Sequence, residues 1–185
     1  MVLEEIKEKL KYNIKPDRYE HSINVMNTAL ELARLYGADK NKAVFAGLLH
    51  DCAKDLQNEE LYKLCKKSGI KIDKITKRQP KLLHGSVGAY VAAAYYGVTD
   101  EEILNAIKFH TTGKENMNML EKIIFISDYI EPGRSLPGVD DIRKLATIDI
   151  DRAMVLAFDI TIRRVLEKGA LLHPATVSAR NYLMF

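Results

Sequence analysis

Cysteine is scarce in this chain, with two, Cys52 and Cys65, among 185 residues. They fit neither a disulfide framework nor a paired CxxC metal site, so both read as inert, buried thiols in a reducing compartment. Tryptophan is absent, and glycine and proline number only 10 and 5 against 47% hydrophobic and 29% charged residues. That balance excludes collagenous, low-complexity and disordered classes. A dominant charge is lacking too: 28 Lys and Arg against 25 Asp and Glu leave +3, too weak a bias to argue for nucleic acid as a partner. No apolar run approaches the roughly 18–20 residues of a membrane-spanning helix. The start, Met1-Val2-Leu3-Glu4-Glu5, has no signal-peptide layout. The expectation is a cytoplasmic protein without membrane contact, folded as one domain over residues 1–185.

Two-residue alternation is as scarce as cysteine, while helical periodicity runs through most of the chain, so the expected fold class is all-α, a compact multi-helix bundle. Helices are expected over about Leu3–Leu10, from Pro16-Asp17 to Tyr36-Gly37, over Asp39–Cys52, Asn58–Lys67, His84–Tyr96, Asp100–Thr111, Asn116–Ile130, Asp149–Lys168 and Pro174–Leu183. Pro at a helix entry and Gly at its exit mark the second of these. Glu131-Pro132-Gly133-Arg134-Ser135-Leu136-Pro137-Gly138 is expected to be a loop, since two Pro and two Gly punctuate it. Eight basic residues between Lys63 and Lys81, against the single acid Asp73, read as a solvated face. That run and the tyrosines leave room for a homodimer without fixing one.

Chemistry enters with four of the five histidines. His21 lies in line with Val25, Thr28 and Leu32 at helical offsets. His50 shares its face with Ala43, Ala46 and Gly47, small enough to let another helix approach. His84 stacks with Val87, Gly88 and Val91, and His110 follows Ile103, Ala106 and Ile107. Imidazoles turned inward on four separate helices are not how surface histidines are disposed, and they are expected to converge. Asp128 interrupts Ile123-Ile124-Phe125-Ile126 on the stripe of Leu120 and Ile124, and Asp51 follows His50 within Leu48-Leu49-His50-Asp51-Cys52. A buried carboxylate without a partner costs several kcal/mol or more, on the order of the charge-burial penalty. A divalent transition metal satisfies such carboxylates and neutral imidazoles together.

The ordered set His21, His50-Asp51 and Asp128 resembles the HD-domain metal-dependent phosphohydrolase superfamily. More narrowly, His50-Asp51-Cys52-Ala53-Lys54-Asp55, Leu83-His84-Gly85, Phe109-His110-Thr111-Thr112-Gly113, Asp128-Tyr129-Ile130-Glu131-Pro132-Gly133-Arg134 and the segment from His173-Pro174-Ala175-Thr176 to Arg180-Asn181 resemble the bacterial YqeK family. The resemblance implies an HD-type bundle, an iron-containing site, and symmetrical hydrolysis of diadenosine tetraphosphate (Ap4A) to two ADP. It places the principal metal on His21, His50, Asp51 and Asp128. His84 and His110 then either complete a second site bridged by Asp51, contact phosphate, or pass a proton to the leaving group. Arg18, Lys54 and Arg134 are the cations nearest these positions in sequence and are expected to meet phosphate. The resemblance adds His173 and Arg180 as substrate contacts. Tyr129 is open to stacking on a purine or to packing. Two other functions compete: another HD-type nucleotidase or phosphodiesterase, and a sensor that holds metal and nucleotide without turnover.

Overall fold

A computed structural model of the chain describes residues 2–185, and among the described residues there are helices and no strands. In chain order they are α1 (Leu3–Asn13), α2 (Pro16–Tyr36), α3 (Lys40–Leu49), α4 (Asn58–Ser68), α5 (Lys74–Arg78), a 3-10 turn (Pro80–Leu82), α6 (Leu83–Tyr96), α7 (Glu101–Phe109), α8 (Met119–Ile130), α9 (Val139–Ala146), α10 (Ile150–Glu167) and α11 (Pro174–Tyr182). The starts follow local chemistry. Asp39, Asp73, Asp100 and Asp149 accept backbone N–H groups at the first turns of α3, α5, α7 and α10, and Asn118 with Glu121 forms a capping box on α8. No helix among the described residues is long and apolar enough to cross a membrane.

Four helices expected from the sequence end or begin elsewhere. The first runs on to Asn13 instead of stopping near Leu10. The third stops at Leu49 instead of reaching Cys52, and the sixth stops at Phe109 instead of Thr111, leaving His50 and His110 as C-terminal caps. The helix expected from Asn116 begins at Met119, after Asn116 at φ 50°. Two α-helices lay outside the expectation. One is the single-turn α5 in the basic run. The other is α9, which buries Val139, Ile142 and Ala146 and exposes Asp140, Asp141 and Lys144. The Pro/Gly stretch before α9 is the expected loop.

The core is built around α8, whose Ile123, Ile124, Phe125 and Ile126 are buried together with Met154 and Phe158 of α10. A smaller apolar cluster of Ala53, Leu61, Cys65, Leu83 and Val87 seats α4 on α6. Cys52 and Cys65 are both free and buried, and burial raises both thiols above their usual range.

Two glycines set the approaches that matter for the histidines. A Cβ on Gly47 of α3 would lie 2.9 Å from the Met26 Cα of α2, and one on Gly85 of α6 would lie 2.7 Å from the Lys108 carbonyl oxygen of α7. Helix backbones therefore touch where a side chain would hold them apart. The first contact joins the helices of His21 and His50, and the second joins those of His84 and His110. Gly88 brings α6 against the end of α3, its Cβ position 3.5 Å from the His50 carbonyl oxygen.

Candidate metal centre

The four histidines meet with their Nε2 atoms pointed at one another. His21 Nε2 stands 3.2 Å from His50 Nε2, and His84 Nε2 stands 3.1 Å from His110 Nε2. The other ring nitrogens fix the tautomers. His50 Nδ1–H donates to the Gly47 carbonyl at 2.8 Å, His110 Nδ1–H to the Ile107 carbonyl at 2.6 Å, and His84 Nδ1–H to the Lys81 carbonyl. His50 and His110 can do this because they close their helices, where the carbonyl three residues back has no intrahelical partner. Burial keeps His50 and His84 neutral, lowering the first to about 3 and the second below its usual value. With the proton on Nδ1, each Nε2 offers a lone pair to the centre.

Asp51 lies between the two pairs. Its Oδ2 faces His21 Nε2 at 3.9 Å and His50 Nε2 at 3.6 Å, while Oδ1 faces His84 Nε2 at 3.2 Å and His110 Nε2 at 3.4 Å. Oδ1 is fully buried and receives no hydrogen bond. An oxygen lone pair set against nitrogen lone pairs in a dry site is repulsive without a cation between them. Asp128 Oδ1 completes the first group, 3.0 Å from His21 Nε2 and 3.8 Å from His50 Nε2. Nitrogen and carboxylate donors converge within 4.8 Å in three overlapping sets, one of them Asp51, His84 and His110. This donor set and the orphaned oxygen fit divalent metal binding.

Burial alone would raise both carboxyls. Lys54 beside Asp51 and Arg134 beside Asp128 favour the charged forms, and both carboxyls stay well below the usual carboxylate range. Asp128 is less enclosed than its apolar stripe suggested. Its side chain is 21% exposed, because it opens toward Arg134 and not into the core.

Three cations surround the cluster. Arg18 Nη1 donates to Asp51 Oδ2 at 2.8 Å. Arg134 donates through Nη2 to the Asp128 carboxylate and through Nε to the Asp128 carbonyl at 2.8 Å. Lys54 Nζ lies 3.0 Å from His84 Nε2 and 3.6 Å from Asp51 Oδ1. Thr111 Oγ1 sits 3.0 Å from His84 Nε2 and 3.1 Å from His110 Nε2. Arg18, His21 and Arg134 line an open cavity of about 340 Å³ on one side. On the other, Thr111, Thr112, Lys114, Asp73 and His173 line one of about 200 Å³.

The remaining expected residues stand outside the cluster. His173 caps α11, accepting from the Ala175 N–H at Nδ1, with Nε2 3.4 Å from Asp73. It reaches the site only by sharing the smaller cavity with Thr111. Arg180 Nε donates to Asp159 at 2.9 Å, an ion pair tying α11 to α10. Tyr129 stacks on Phe125 and hydrogen-bonds Thr161, which is packing. Asp55 accepts the Lys15 N–H at 3.1 Å, anchoring the start of α2.

One buried group in contact with the cluster escaped the sequence reading. Glu131, 3% exposed, places Oε1 3.1 Å from His21 Nδ1. The signal was an acid directly after the apolar run of α8, masked by the Pro and Gly that follow it.

Comparison with known proteins agrees with this geometry. The HD domain family matches residues 18–133, which contain all four histidines and both aspartates of the cluster. Symmetrical bis(5'-nucleosyl)-tetraphosphatases are similar along nearly the whole chain. That of Halalkalibacterium halodurans is 42% identical over 95% of this chain and 93% of its own, and that of Bacillus subtilis 39% over 95% and 94%. A crystal structure of an HD superfamily hydrolase from Clostridium acetobutylicum, described as involved in NAD metabolism, superposes with a TM-score of 0.97. It is 47% identical, and the match covers 100% of this chain and 97% of that one. The ordered His, His-Asp and Asp, the inward cluster they form and these likenesses together establish that the chain belongs to the HD-domain family, alongside the symmetrical bis(5'-nucleosyl)-tetraphosphatases.

Proposed function

We propose that this chain is a metal-dependent phosphohydrolase that splits Ap4A symmetrically. Water cleaves the central anhydride, between the second and third phosphates, and two ADP leave. The observation that carries the reading is Asp51, whose two oxygens each face a different histidine pair. His21, His50, Asp51 and Asp128 would hold the principal cation, for which iron is our assignment, and Asp51 with His84 and His110 would hold a second. Divalent cations in such a centre supply a more acidic water and Lewis-acid stabilisation of phosphoryl oxygens.

The chain's own residues divide the remaining work. Arg18 and Arg134 face the larger cavity and take up phosphate charge on the His21 side. Lys54 does the same beside His84, where Thr111 offers one further hydroxyl. His173 reaches substrate through the smaller cavity. Arg180 would have to leave Asp159 before it could meet a phosphate.

The test is chelation, restoration of iron, and chromatography of the products from Ap4A. ADP as sole product, lost on chelation and regained with metal, supports the reading. ATP plus AMP, or free phosphate as the dominant product, contradicts it, and tight ADP binding without turnover under any metal favours a sensor.

A further inference from the structure

His21 differs from the other three histidines in one respect that matters for a metal ligand. His50 and His110 donate Nδ1–H to a carbonyl freed at a helix end, and His84 donates to one in the 3-10 turn before α6. His21 lies in the interior of α2, where the backbone carbonyls are taken by the helix itself. It needs an acceptor from another element. Glu131 supplies it, with Oε1 3.1 Å from Nδ1.

The carboxylate is itself fixed. Its Oε2 accepts the Gly133 N–H at 2.6 Å, and a Cβ on Gly133 would fall 3.0 and 3.1 Å from the two carboxylate oxygens, so a side chain there would crowd the carboxylate. From α9, Arg143 donates to the carbonyls of Ile130 at 3.0 Å, Glu131 at 3.0 Å and Arg134 at 2.9 Å. The loop that carries Glu131 is thereby clamped on both its side-chain and backbone edges. We infer that Glu131 is a positioning residue of the centre, holding His21 with its proton on Nδ1 so that the Nε2 lone pair faces Asp51 and Asp128. It acts on the far nitrogen of the ring, without touching substrate. Outer partners of this kind typically change metal affinity by roughly 10–100-fold.

The inference rests on the metal reading proposed above, and two readouts keep them apart. In the metal-free chain, ¹⁵N NMR of the histidine rings reports the His21 tautomer directly. Wild type and Glu131→Gln should carry the proton on Nδ1, because an amide oxygen still accepts it, whereas Glu131→Ala should populate the Nε2–H form. Titration with Co²⁺ should then show affinity about 10–100-fold weaker in Glu131→Ala, with partial recovery in Glu131→Gln. A wild-type His21 protonated on Nε2, or an alanine variant with unchanged tautomer and unchanged Co²⁺ affinity, overturns the inference. Should Glu131→Ala lose its helical circular dichroism, Glu131→Gln decides alone: a retained tautomer supports the role and a lost one refutes it. Wild type that binds no Co²⁺ removes the metal reading, while the tautomer still shows whether Glu131 sets the ring.

Discussion

The side chains of the centre sort by what they can lose. Asp51→Asn keeps shape and volume but withdraws the charge facing both histidine pairs. It should abolish metal retention and turnover together while helical circular dichroism persists, which elemental analysis and an activity assay would check. Arg134→Ala should leave metal content near wild type and lower kcat/KM about 100-fold, the scale of one lost preorganised donor. Protonation gives a third expectation. Burial holds His50 and His84 below the unfolded value of 6.5, so in chelated protein the unfolded chain takes up protons that the folded one refuses. Stability should therefore fall as pH drops from 7 to 5, seen as a lower urea midpoint. The four histidines were legible in the sequence because each continues an apolar stripe on a helix. Glu131 was not, since its partner lies 110 residues away and its neighbours spell a turn.

At the scale of elements, the centre depends on two backbone contacts, α2 with α3 at Gly47 and α6 with α7 at Gly85. Gly47→Ala and Gly85→Ala each put a methyl group against main chain that cannot yield locally. Each should cost about 1–3 kcal/mol in urea unfolding, the usual penalty of overpacking. Because the helices that separate carry paired ligands, metal retention should weaken in the same variants. The small residues beside His50 already pointed to such an approach. What the pattern concealed was where helices stop: apolar periodicity continues through His50 and His110, but each imidazole bonds back to the carbonyl three residues earlier and closes the helix. It also concealed α9. Its three buried residues, Val139, Ile142 and Ala146, are too few to stand out among four charges, although its Arg143 holds the loop of Glu131 and Arg134 in place.

Over the whole molecule, an all-helical bundle gathers ligands from α2, the ends of α3 and α7, the start of α6 and the last turn of α8 into one interior cluster. The class of fold and the cluster could be read from periodicity and the order of His, His-Asp and Asp, whereas the cavities on either side depend on how α11 and the loop after α8 pack. Cation binding to the folded form alone should raise stability by about 2.7 kcal/mol at a hundredfold excess over Kd. Chelation should then lower Tm by several degrees, reversibly. The most direct test of a centre shared through Asp51 is an anomalous-scattering map from crystals grown with iron or manganese. Two peaks flanking the Asp51 carboxylate, one toward His21 and His50 and the other toward His84 and His110, are the predicted result. A map with no peak among these side chains, or with a single peak touching neither Asp51 oxygen, would contradict it.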